Sequence, residues 1–165
     1  MAIQLSMVQD IEAAIASLTG GRILDVATGD GWLLAWLLDT MQDAVEGVGI
    51  DLRPLDFAAL DDASVFNRAD VEFLQMDAHA MDFADASFDT VAIATSLHHL
   101  PDPRPVLDEM LRVLKPGGHV VIVEMYRDHQ DGPQMTHILM HHWWAAIDRA
   151  LGITHNETYR RQELL

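Results

Sequence analysis

Arg22-Ile-Leu-Asp-Val-Ala-Thr-Gly-Asp-Gly31, with Val48-Gly-Ile-Asp51 downstream of it, is the stretch whose reading decides the fold. Ile23, Leu24, Val26 and Ala27 form a short apolar run with Asp25 set into it, and Trp32 to Leu38 opens an apolar helical pattern. Gly29 and Gly31 stand between the two. Glycines at such a junction permit unusual backbone angles and let a ligand approach the main chain, while the first amides of the next helix point at any anionic group above them. The pattern predicts a buried strand, a ligand-binding turn and a helix. A carboxylate inside the strand is costly unless something satisfies it, which makes Asp25 a candidate binding residue. Asp51 ends the second apolar run and places a carboxylate beside the same crevice, where it can accept both hydroxyls of a ribose. A dinucleotide fingerprint needs a glycine three positions after Gly31, and Leu34 stands there, which disfavours NAD and FAD.

Asp25-Val-Ala-Thr-Gly-Asp-Gly31 resembles the first motif of the class I S-adenosylmethionine-dependent methyltransferases, with Ala27 in place of the usual first glycine. Three later segments match in order. Gln75-Met-Asp77-Ala78 is similar to the motif that meets the adenine amino group. Ser87 to Pro101, containing Thr95-Ser-Leu-His-His-Leu100, is similar to the fourth strand and its loop. Leu111 to Gly118 is similar to the turn into the fifth strand. Together the match covers residues 20 to 125 and points to the small-molecule branch, resembling the ubiquinone and menaquinone biosynthesis methyltransferases. The resemblance implies S-adenosylmethionine as cofactor. Ala27, Thr28, Gly29, Asp30 and Gly31 would then form the turn beneath it, and Asp25 would organise contacts to its ammonium. Asp51 would bind the ribose, Leu52 and Asp77 with Ala78 the adenine, and Thr95 and Ser96 the methionine end. His98 and His99 follow the fourth strand, where open α/β sheets place reactive groups, and are the candidate catalytic bases.

Strand and helix patterns alternate along the chain: strand 22–27, helix 31–42, strand 46–51, helix 54–66, strands 71–76 and 88–95, helix 103–114, strand 119–125. Alternation of this kind predicts an α/β, Rossmann-like, doubly wound parallel sheet, and the crossover rule together with the resemblance gives the order 3-2-1-4-5. The chain reads as a single domain. Ile3, Met7, Ile11, Ile15 and Leu18 mark an N-terminal helix within residues 1–20, and residues 21–126 form the cofactor-binding core. A His- and Trp-rich helix, Gln134 to Leu151 capped by Gly152, lies within residues 127–165. Lys115-Pro-Gly-Gly118 and Asp128 to Pro133 read as turns. Relatives usually continue with another helix and an antiparallel strand pair, so the sixth and seventh strands are expected to be missing. That would leave Val120 to Tyr126 as an apolar edge, to be covered by the last helix within one chain or across a homodimer.

The formal charge of −16 arises from 10 basic and 26 acidic residues, and Lys115 is the single lysine. Such a surface repels phosphate backbones, so DNA and RNA are poor partners. No apolar stretch approaches the length of a membrane span, and a cytoplasmic location is expected. The absence of cysteine excludes disulfides and thiolate zinc sites. On the last helix His137, His141, Trp144 and Asp148 share one stripe, opposite Met135, Leu139, Ala146 and Ala150. This reads as a solvated face or pocket wall rather than a metal site, with His142 a hydrogen-bonded core residue and His155 placed to fold back toward the stripe. The expected function is methyl transfer to a small organic acceptor. A noncatalytic cofactor-binding module, or a metal-dependent enzyme using the stripe, are the alternatives.

Overall fold

The computed structural model describes residues 10–54 and 68–164. The expected helix over 54–66, and Ile3 and Met7 of the N-terminal helix, therefore lie outside the described residues. Helix α1 covers residues 10–16 and ends before Thr19-Gly-Gly21. Strand β1 (Gly21–Val26) leads into α2 (Trp32–Thr40), followed by β2 (Ala44–Asp51), β3 (Val71–Gln75), β4 (Phe88–Ala94), α3 (Arg104–Val113), β5 (Leu114–Val123) and α4 (Gly132–Ala150). The five strands form one sheet in the order β3-β2-β1-β4-β5, as expected, and no sixth or seventh strand occurs among the described residues.

The described residues divide into two compact units, one formed from those up to Ile93 with Val106–Ile122, the other from Ala94–Pro105 with those from Val123 onward. In the first, β1 pairs in parallel with both β2 and β4. It therefore sits at the point where the strand order reverses, the place at which open α/β sheets bind ligands. Ile23 to Val26 are buried consecutively rather than alternately, as in a strand covered on both faces. Leu33, Leu34, Leu37 and Leu38 of α2 supply one of those covers. The helix comes close because Gly47 has no side chain: a Cβ there would stand 2.9 Å from Leu38 Cδ1. Val106, Met110 and Val113 of α3 are buried at helical spacing. Register sets Asp25 beside Gly49 and Asp51 beside Gln75, so the carboxyl ends of β1, β2 and β3 lie level.

Two segments depart from expectation. Lys115-Pro-Gly-Gly118 is not a turn before a strand at 119; β5 begins at Leu114, directly after α3. As an edge strand β5 tolerates Pro116, which offers no N–H to a ladder. Gly118 is required by close approach, since a Cβ there would lie 2.5 Å from the Asp89 carbonyl oxygen. Lys115 Nζ reaches both Asp89 oxygens at 2.9 and 2.8 Å. Asp131 to Pro133 likewise joins α4 rather than a turn: Asp131 caps the helix by accepting from the Gln134 N–H at 2.9 Å, and Gln134 accepts in return from the Asp131 N–H. The far end of α4 closes as expected, with Gly152 at φ 80 donating to the Arg149 carbonyl and Ile153 donating to that of Asp148.

Candidate functional site

In the first unit β1 runs into a turn whose alternate residues are left-handed: Ala27 at φ 54, Gly29 at φ 56 and Gly31 at φ 76. Ala27 bears a side chain in a conformation that favours glycine, at a cost of roughly 1–2 kcal/mol. The Thr28 N–H donates to the Ile50 carbonyl at 2.9 Å, tying the turn to β2. Gly49 allows this, because a Cβ there would meet the Phe73 ring at 2.6 Å and Thr28 Oγ1 at 2.9 Å. A Cβ on Gly29, by contrast, would meet nothing within 4 Å, so the space over the turn is open.

Two acids flank that space. Asp25 is 1 % exposed, and its Oδ2 accepts from the Thr28 hydroxyl at 2.6 Å. Burial pushes its carboxyl up to about 7, with the Thr28 hydroxyl and the Leu34 amide opposing and the Asp30 and Asp51 charges adding to the rise. Among the described residues no cation is paired with it. Asp51 Oδ2 accepts from the Gly29 N–H at 3.1 Å and Oδ1 from the Arg53 N–H at 2.9 Å. Each oxygen keeps a second lone pair for a hydroxyl. The Asp51 carbonyl accepts from the Met76 N–H at 2.9 Å, which brings the Asp77–Ala78 segment to the same sheet end. Asp77 is half exposed and held below the usual carboxylate range by the His79 amide and ring, both of which bond to it. Leu52 is 67 % exposed and Asp30 is exposed. The structure thus links Asp25, Thr28, Gly29 and Asp51 by direct hydrogen bonds, with Asp77 on the neighbouring strand end.

The second unit carries the remaining expected residues. Thr95, at φ 45, donates its N–H to the Val123 carbonyl at 2.8 Å, and Ser96 Oγ donates to the Ala94 carbonyl at 2.7 Å. A β-branched residue at positive φ is strained, a condition that gathers at ligand sites. Leu97–His99 forms a single 3-10 turn. His98 is buried with its Nδ1 2.9 Å from Glu124 Oε1, and Glu124 Oε2 accepts from the Leu97 N–H at 3.0 Å. Their side chains are 3 % and 1 % exposed. His99 is exposed beside them; burial of part of the ring, then His98 and His155, hold it below the ordinary histidine value.

The α4 stripe is divided rather than solvated along its length. His141 and Asp148 turn inward with buried Ile138 and Ala145, whereas Leu139, Ala146 and Ala150 are exposed. His137 and Trp144 alone of the stripe are exposed. The reversal has a physical cause: His155 does fold back, as its sequence position suggested, and binds the stripe through Asp148 Oδ2 at 2.6 Å and His141 Nε2 at 3.0 Å. Burial and the surrounding imidazoles hold His141 down at about 4. His142 is the bonded histidine expected, its Nε2 accepting from the Thr158 N–H at 3.2 Å. Four residues that hold these loops and rings in place escape a sequence reading. Glu124 is one, and its signal is an acid at the end of an apolar strand, as at Asp51. Asn156 bonds the His98 and Leu100 carbonyls through its N–H and Nδ2, at 2.7 and 2.9 Å. Tyr159 donates to the Leu97 carbonyl at 3.0 Å, and Thr158 holds His142. None of the last three carries a local signal, since their partners lie far off in sequence. A groove of about 220 Å³ lined by Met125, Tyr126, Gln130, Gln134 and His137 lies in the same unit, below the range of roughly 300–1,000 Å³ usual for small-molecule sites.

Residues 24–122 match the family model described as a methyltransferase domain. A demethylmenaquinone methyltransferase of Renibacterium salmoninarum is 38 % identical over 112 residues, 67 % of this chain and 44 % of that protein. An O-methyltransferase of Aspergillus nomiae, rstn1, is 30 % identical over 122 residues, 74 % of this chain and 54 % of that protein. The chain spans less than half the length of the demethylmenaquinone methyltransferases it matches. Among solved structures, the methyltransferase in complex with the Haloferax volcanii Trm112 activator superimposes with a TM-score of 0.66 at 26 % identity, over 93 % of this chain and 63 % of that one. With the sheet order, the left-handed turn and the paired acids of β1 and β2, these matches show that the chain belongs to the methyltransferase-domain family, of the class I S-adenosylmethionine-dependent kind.

Proposed function

We propose that the chain binds S-adenosylmethionine over the Ala27–Gly31 turn and transfers its methyl group to a small organic acceptor. The observation that carries this reading is the bonded set Asp25–Thr28 and Gly29–Asp51 around space that a Cβ on Gly29 would begin to fill. The residues fit the cofactor: a buried acid with no paired cation among the described residues suits an ammonium group, and an acid with free lone pairs at a strand end suits vicinal hydroxyls. When bound, the cofactor supplies an electrophilic methyl on a sulfonium. What the protein contributes is alignment of the acceptor in line with the leaving sulfur and exclusion of water. Asp77 and Ala78 serve the adenine in this reading, and Thr95 and Ser96 are further contacts.

An acceptor that must lose a proton needs a base, and of the two candidates exposure favours His99 over His98, whose Nδ1 already faces Glu124. The charge of −16 argues against nucleic acid as the acceptor. The relatives named for demethylmenaquinone and O-methylation support a small molecule. No helix among the described residues is long and apolar enough to cross a membrane, and a cytoplasmic enzyme is part of the proposal. So is a homodimer, supported by exposed Val120 and Ile122 on β5 and Leu139, Met140, Trp143 and Ile147 on α4, and decided by light scattering across concentrations.

Calorimetric titration with S-adenosylhomocysteine tests the reading. Asp51→Ala should weaken binding by about 1–3 kcal/mol, the cost of hydrogen bonds to a charged group. Tighter binding of NAD than of S-adenosylhomocysteine would overturn the cofactor assignment. In a screen for methylated products, His99→Gln should lower turnover by ~100-fold with cofactor affinity intact. Binding without turnover on any acceptor would leave a noncatalytic module instead.

A further inference from the structure

Within the second unit four histidine rings pack together, more than the loop needs for its own architecture. His98 lies with ring centroids 4.7 Å from His141, 5.4 Å from His155 and 4.3 Å from His99. Nitrogen atoms of His98, His141 and His155, one from each, all lie within 4.8 Å of one another. We propose that these three side chains bind one divalent transition-metal ion of the zinc class, at a site separate from the cofactor turn of the first unit.

The first argument is distance. Nitrogens bound to tetrahedral zinc at about 2.0–2.1 Å stand roughly 3.3 Å apart, and His141 Nε2 is already 3.0 Å from His155 Nε2. The second is orientation. Metal-bound histidines characteristically donate their other ring N–H to a carboxylate, which fixes the tautomer and turns the free nitrogen toward the ion. Here Glu124 takes Nδ1 of His98 at 2.9 Å and Asp148 takes Nδ1 of His155 at 2.6 Å, leaving both Nε2 atoms as the ligand atoms. The two carboxylates also balance the charge of a dication.

The third argument is what the rings do without a cation. With Asp148 holding the proton on Nδ1 of His155, its Nε2 is a bare lone pair. His141 can then donate from its own Nε2, which leaves its Nδ1 buried with no hydrogen-bond partner among the described residues. In the other tautomer two lone pairs face each other at 3.0 Å and the buried Nδ1–H has no acceptor. An ion shared between the facing nitrogens removes the lone-pair conflict of the second tautomer, while the Nδ1–H of His141, unlike those of His98 and His155, keeps no acceptor among the described residues. The donor set selects the metal: three neutral imidazoles without thiolate suit zinc, cobalt, nickel or copper rather than magnesium or calcium. Three protein ligands leave a fourth position for water or an oxygen of a small molecule.

The full chain is the material for the test. After equilibration with Zn²⁺ and dialysis, elemental analysis should find one zinc per chain, retained against excess Mg²⁺. Co²⁺ in its place should give the visible ligand-field bands of a tetrahedral nitrogen site. His141→Phe, with its fold checked by circular dichroism, should lose affinity by ~100-fold or more. Glu124→Gln keeps all three ligands and should still lose ~10- to 100-fold, an effect that a purely structural glutamate would not produce in a folded variant. His137→Ala, an exposed neighbour on the same helix, should bind as the parent does. Absence of stoichiometric zinc together with absence of cobalt bands in the parent overturns the site, and that measurement stands even if His141→Phe fails to fold. Equal affinity in a folded His141→Phe overturns it as well. Because cofactor binding is read separately with S-adenosylhomocysteine, loss of one assignment does not carry the other.

Discussion

Asp25→Asn should stabilise the unliganded protein relative to the parent, by an amount that grows as pH rises from about 4 to about 7 and reaches on the order of 4 kcal/mol. The sign follows from Asp25 itself. Its folded-state carboxyl is raised from an ordinary 3.8 to about 7, so the native state holds a proton that the unfolded chain has already released. That contribution is fully present below pH 4 and lost as pH climbs through 7. Other acids work in the opposite direction: Glu109 is held at about 2 by Arg112, and Asp89 is lowered by Lys115. The total stability curve therefore hides the effect, and the difference between variant and parent reveals it. Urea unfolding at a series of pH values gives that difference directly; a difference independent of pH would mean that Asp25 is ionised in the native protein throughout. The same reasoning bears on the proposed cofactor. A bound ammonium should pull the carboxyl down, so titration with S-adenosylhomocysteine near pH 6.5 should release a proton, visible as a dependence of the binding heat on buffer ionisation.

The second large effect belongs to Glu124. Replacing it with leucine leaves three donors without their acceptor, namely the Leu97 and Met125 amides and the His98 ring, in a site where the carboxylate is 1 % exposed. A buried donor left without its acceptor costs about 1–3 kcal/mol, so the loss of all three should reach about 3 kcal/mol or more. Glu124→Gln keeps an acceptor and should cost markedly less. Chemical denaturation followed by circular dichroism measures both, and faster hydrogen exchange at Leu97 and Met125 should accompany the loss. A cost below about 1 kcal/mol for Glu124→Leu would show that the pair is met by water instead.

How much of this was legible beforehand depended on where each signal came from. The consecutive burial of Ile23 to Val26 and the Leu33 to Leu38 face of α2 are written locally, and the alternation of strands with helices points to a parallel sheet, whereas its order rests on the crossover rule and the family resemblance together. The turn with its two acids was equally local, since a run of five residues and one strand end define it. Two features misled. Lys115-Pro-Gly-Gly118 has the composition of a turn, yet an edge strand places no ladder demand on Pro116, and the neighbouring Asp89 carbonyl excludes a side chain at Gly118. Helix α4 misled because it is apolar on two sides. Leu139, Met140, Trp143 and Ile147 lie outward while Ile138 and Ala145 lie inward, so hydrophobicity alone does not orient it. What orients it is polar, the Asp148–His155–His141 chain, and its members are brought together by a tail whose anchors, Asn156 and Tyr159, reach back to the Leu97–Leu100 loop.

The four tryptophans have a practical bearing on every unfolding measurement above. Trp32, Trp143 and Trp144 are exposed and Trp36 is half-buried, so no indole sits in the leucine-rich interior. Native emission should already resemble that of solvated indole, and melting the sheet should barely shift it. Intrinsic fluorescence would therefore report on the outer surfaces of α2 and of the last helix, and a nearly flat fluorescence trace would coexist with complete loss of the core. The same placement makes the indoles useful in another way: a blue shift on concentrating the protein would signal their burial between two molecules before any change in secondary structure.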